Sequence, residues 1–72
     1  MKARELRRVL ERKPLSYTLS RAKAGSHAIL KSDNYPQLVF AFHDNQTIPP
    51  GLVKKILVRD VGLSEEEALA LL

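Results

Sequence analysis

The sequence predicts an α+β domain in the order α-β-β-β-α, with a further short helix at its C-terminal end. That expectation rests on helical apolar spacing in the first dozen residues, strict alternation in the middle, and helical spacing again after a double proline. Seventy-two residues, 44% of them hydrophobic, allow one modest core and therefore one domain, residues 1–72.

At 100° per residue, Ala3, Leu6, Val9 and Leu10 fall on one arc, with Arg4, Arg7, Arg8 and Arg12 on the other side. Pro14 has no amide donor and disfavours helical geometry at Lys13, so this helix should stop there. From Leu15 to Arg21 the period falls to two: Leu15, Tyr17 and Leu19 alternate with Ser16, Thr18 and Ser20, as in a half-buried strand. Residues 22–26 read as a turn around Gly25, 27–31 as a second strand, and 32–37 as a second turn with Asp33, Asn34 and Pro36. Leu38 to Phe42 is the third strand. The short connections favour antiparallel neighbours, since a parallel pair needs a long crossover. Pro50 suits a first helical turn, Leu52, Val53, Ile56 and Leu57 share a face, and Gly62 ends the segment. Ser64 and Glu67 have capping-box spacing for the last helix. Alternation assigns Tyr17, Phe40 and Phe42 mainly to the core, and leaves Tyr35, in a turn, as the exposed aromatic.

The net charge of +4 is unevenly spread. Residues 1–31 carry nine Lys or Arg against Glu5 and Glu11, a balance of +7, whereas residues 32–72 balance at −3. A cationic half is an electrostatic footprint for phosphates, or simply a solvated surface. No cysteine is present, which removes disulfides, thiolate metal sites and thiol nucleophiles and fits a reducing cytoplasm. No apolar run suits a signal peptide or a membrane span. The carboxylates are scattered or sit together on a helix end, so a two-metal site is not expected, and no metal or other cofactor is implied.

His27 and His43 are the side chains whose ordinary pKa, about 6.5, lies near neutrality. Metal-free RNA cleavage needs a base for the 2′-hydroxyl proton, an acid for the leaving 5′-oxygen, and positive charge for the transition state. His27 could serve as base or acid, with Arg21, Lys23 or Lys31 as the charge; equally, it could be an ordinary strand histidine. If Leu30 faces the core, His27 faces solvent, at the cost of turning Ile29 outward too. His43 could orient substrate, transfer a proton, or only end its strand.

The run Gly25-Ser26-His27-Ala28-Ile29-Leu30-Lys31 resembles the Gly-Ser-His motif of the HicA toxins. The resemblance continues through Phe42-His43, Ile48-Pro49-Pro50-Gly51-Leu52, Ile56-Leu57 and Gly62-Leu63-Ser64, and includes Arg4-Glu5-Leu6 and Val9-Leu10 near the start. It implies a fold like the double-stranded RNA-binding domain, with two helices on one face of a three-stranded antiparallel sheet. It also implies the toxin of a toxin–antitoxin pair: a metal-independent endoribonuclease of messenger RNA, with His27 as catalyst, covered by a HicB-type antitoxin. Arg21, Lys23, Ser26 and Lys31 are then the expected RNA-binding residues, and His43 an accessory one. Three positions depart from the usual pattern. Arg21 lies four residues before Gly25 rather than three, and Leu15 and Leu30 stand where aromatic residues are common. The first leaves the phosphate-binding role open between Arg21 and Lys23. Two other readings remain: a non-catalytic RNA-binding module of the same fold, and a protein-interaction partner that docks its basic helix on an acidic surface.

Overall fold

Helical spacing at the start produces α1, Ala3–Glu11, in which Ala3, Leu6, Val9 and Leu10 are all buried. The computed structural model describes residues 1–22 and 27–72, apart from the side chains of Arg21 and Ala22. Three strands follow, β1 (Thr18–Ala22), β2 (His27–Lys31) and β3 (Leu38–Ala41), then α2 (Pro50–Lys55), a π-helical turn (Ile56–Asp60) and α3 (Glu65–Leu71). The strands form one antiparallel sheet in the order β1-β2-β3, so β2 is central and both short connections join antiparallel neighbours, as expected. The turn expected at residues 22–26 lies largely outside the described residues.

Both helices pack on one face of the sheet. Leu6 and Leu10 of α1, with Val53 of α2 and Leu57 just after it, share a core with Tyr17, Leu30, Leu38 and Phe40. No charged residue is buried among the described residues, so the core is held mainly by apolar contact.

β1 starts three residues later than alternation predicts. Alternation does give the burial of Leu15 and Tyr17, but these residues close the end of α1 instead of entering the ladder. The Ser16 amide donates to the Arg12 carbonyl at 2.8 Å and the Tyr17 amide to the Leu10 carbonyl at 2.9 Å, satisfying acceptors the helix leaves free. Ser16 itself takes the left-handed conformation, φ 54°, which interrupts an extended run. The ladder then shifts register between Leu19 and Arg21.

The second helix also differs from a plain α-helix. Beyond Lys55 it widens into the π-helical turn, and the Val61 amide donates to the Ile56 carbonyl five residues back at 3.0 Å. The wider turn accommodates Ile56, Leu57 and Val61 together on the buried side. Gly62, at φ 94°, ends it as expected. Ser64 caps α3: its hydroxyl accepts from the Glu67 amide at 3.1 Å, and its own amide donates to the Glu67 carboxylate at 3.0 Å. Those bonds, the backbone one foremost, hold the Glu67 carboxyl below its ordinary value.

Tyr35 is a correction. It is half-buried rather than exposed, because its ring packs 6.4 Å from that of Tyr17, whose hydroxyl donates to the Pro36 carbonyl at 2.6 Å. Burial raises the Tyr17 pKa, and the neighbouring Tyr35 adds to the effect.

Candidate functional site

Alternation along β2 sorts its side chains. Leu30 is fully buried under the helices, so His27, Ile29 and Lys31 turn to the opposite, uncovered face. His27 and Lys31 are exposed, while Ile29 is half-covered, a milder outcome than full exposure. Register gives the neighbours on that face: His27 opposite Ala41, Ile29 opposite Val39, and Lys31 opposite Thr18. The uncovered face thus carries a histidine at one end of the central strand, a lysine at the other, and an apolar strip between them. No carboxylate stands at these positions.

His43 lies two residues beyond Ala41, the partner of His27, so both histidines mark the same end of the sheet. β3 stops at Ala41, and His43 begins a turn in which the Gln46 amide donates to the His43 carbonyl at 2.9 Å. That turn caps α1. The Ala3 and Arg4 amides donate to the carbonyls of Gln46 and Asp44, at 2.8 and 3.2 Å, filling donors that a helix start leaves unpaired. The Arg4 guanidinium reaches the Asn45 side chain at 2.6 Å, and the Lys2 ammonium reaches the Asn45 carbonyl at 3.1 Å. The turn that His43 begins is therefore anchored to the first helix, while the His43 side chain is exposed.

The cations divide between layers. Lys2 and Arg4 are committed to the turn, and Arg7 pairs with Glu11 at 3.5 Å. Arg8, Arg12 and Lys13 are exposed, but they belong to α1 and the loop after it, in the helical layer on the other side of the sheet. They do not share the uncovered face with His27. Lys31 does, four residues along the strand from His27, or about 13 Å by strand rise. The backbone of Arg21 is paired with Ile29. Lys23 and Ser26 lie outside the described residues.

Sequence reasoning missed Val39, which is 66% exposed in the middle of the uncovered face. A signal was present: Leu38-Val39-Phe40-Ala41-Phe42 is apolar without alternation, the pattern of a strand that expects cover on both faces.

A three-stranded antiparallel sheet with helices on one side and an exposed histidine on the other defines a small α+β domain. The family described as HicA toxin of bacterial toxin-antitoxin matches residues 3–63. The chain belongs to that family, and is thereby a toxin of a toxin–antitoxin system with an antitoxin as its partner. No curated protein and no solved structure matches it. Among the described residues, no helix is long and apolar enough to cross a membrane.

Proposed function

We propose that this toxin is a metal-independent endoribonuclease that cleaves messenger RNA in the cytoplasm, with His27 as its general acid or base. The reading is carried by one observation: the histidine of the Gly-Ser-His motif is exposed at the end of the central strand, on the face no helix covers.

In the reaction, the 2′-oxygen loses its proton and bonds to phosphorus, and the bond from phosphorus to the 5′-oxygen breaks as that oxygen gains a proton. An accessible imidazole can take the first proton when neutral or give the second when protonated. His43, anchored at the same end of the sheet, is the accessory group. Arg21, Lys23 and Ser26 precede His27 in the chain and are assigned to the reacting phosphate. Lys31, about 13 Å away by strand rise, holds the RNA backbone at another phosphate. Ile29 and Val39 offer apolar surface to unstacked bases and, in the inhibited state, to a HicB-type antitoxin covering the same face. On this reading the fold is of the double-stranded RNA-binding-domain kind, turned to cleavage of single strands.

Wild-type protein with excess chelator should cleave unstructured RNA, leave 2′,3′-cyclic phosphate ends, and spare a duplex of the same sequence. Tight, salt-sensitive duplex binding with no product would instead identify a non-catalytic RNA-binding module.

A further inference from the structure

β3 is an edge strand, since the order β1-β2-β3 leaves its outer side unpaired. In an antiparallel ladder, alternate residues turn their N–H and C=O groups away from the partner strand. Among the described residues, no backbone group meets those of β3 from the outer side. Edge strands are ordinarily protected by a charge, a proline or a bulge. Leu38–Ala41 contains no charge and no proline, and pairs with β2 in unbroken register.

Beside this edge runs a groove of about 680 Å³ between β3 and the second helix. Its floor is apolar: Phe40 and Ile56 are buried, and Phe42 and Leu52 half-buried. Its exposed rim carries Lys55, Arg59 and Asp60. Lys54 next door is paired with Glu65 at 3.2 Å, whereas among the described residues neither Lys55 nor Arg59 forms an ion pair.

We propose that this edge and groove dock an extended acidic segment of the antitoxin, which adds to β3 as a fourth strand. Strand addition supplies main-chain hydrogen bonds, and alternate side chains enter the groove and give selectivity. The segment places apolar side chains over Phe42 and Leu52 and carboxylates toward Lys55 and Arg59. A second copy of this chain fits less well, because its β3 is uncharged and leaves both cations unanswered. RNA would meet the cations but not the strand edge. The partner's identity follows from the toxin–antitoxin family, whereas the docking mode is independent of the ribonuclease reading.

The test uses the full-length ¹⁵N-labelled chain and a capped synthetic peptide of sequence ETVTVTE, with its lysine counterpart KTVTVTK as control. Saturable amide shifts within residues 38–42 and 52–60, with the acidic peptide bound at least tenfold more tightly than the basic one, are expected. In the double variant Lys55→Glu, Arg59→Glu, both positions being exposed, the preference should reverse. No saturable binding of the acidic peptide, equal binding of both peptides, or shifts confined to the uncovered sheet face would overturn the proposal. So would an oligouridine that shifts the groove amides, or self-association that shifts them without peptide. RNA cleavage by the same variant keeps the two readings apart. An unchanged rate beside reversed peptide preference sustains docking, and an unchanged rate with unaltered peptide binding removes docking alone.

Discussion

The two faces of the sheet are made by the same strands and behave as different materials. On the helical side, Leu30, Leu38 and Phe40 are sealed under α1 and α2, and no charged residue is buried among the described residues. On the other side, one residue away in sequence each time, stand Ile29, Lys31, Val39 and Ala41, with His27 at the end. Alternation lets a chain of this size bury one face of its sheet and leave the other, to which we assign the chemistry, open. Substitutions on the two faces should therefore affect different observables.

Leu30→Ala should show the largest effect on stability. It leaves a cavity at a fully buried site, costing about 2–5 kcal/mol, and in so small a domain urea titration should show most of the structure lost. Retention of a near-native midpoint would mean that the helical face is not the core. Tyr17→Phe comes next: losing the hydroxyl bond to the Pro36 carbonyl should cost about 1–2 kcal/mol by the same titration. The tyrosine also sets an alkaline limit. Because folding raises its pKa, its contribution is complete below pH 10.0 and declines as the pH rises beyond that value.

Ser64→Ala should cost about 1 kcal/mol through loss of the α3 cap. It should also blunt the acid sensitivity of Glu67. With its pKa lowered by folding, that carboxylate contributes fully above pH 4.5 and progressively less as the pH falls further. A pH series of thermal midpoints for wild type and variant checks the sign. The smallest effect on stability belongs to the uncovered face. Lys31→Ala should leave the midpoint within about 0.5 kcal/mol while lowering the salt slope of single-stranded RNA binding by about 0.7. An unchanged slope would remove Lys31 from the RNA path.

Helical spacing located α1 and α2, turn and cap residues bounded the strands and α3, and the burial of Leu30 meets the condition under which parity turns His27 outward. The start of β1 was hidden, since Leu15 and Tyr17 are buried outside the ladder while the Ser16 and Tyr17 amides turn back to the Arg12 and Leu10 carbonyls. The π-helical turn was hidden as well: its apolar positions also fit an α-helix, and the difference lies only in which carbonyl the Val61 amide meets. At the candidate site, the charge count gave a basic N-terminal half but not its division between layers. Arg4 and Lys2 anchor the turn that follows His43, an arrangement spanning 41 and 43 residues of chain that no local pattern encodes.

The proposed ribonuclease places its chemistry on His27, and the single-turnover cleavage rate is the most direct test. His27→Ala, measured on unstructured RNA with chelator present, should be slower than wild type by about 10²–10⁴-fold, with RNA affinity retained. A rate equal to that of wild type would contradict the account.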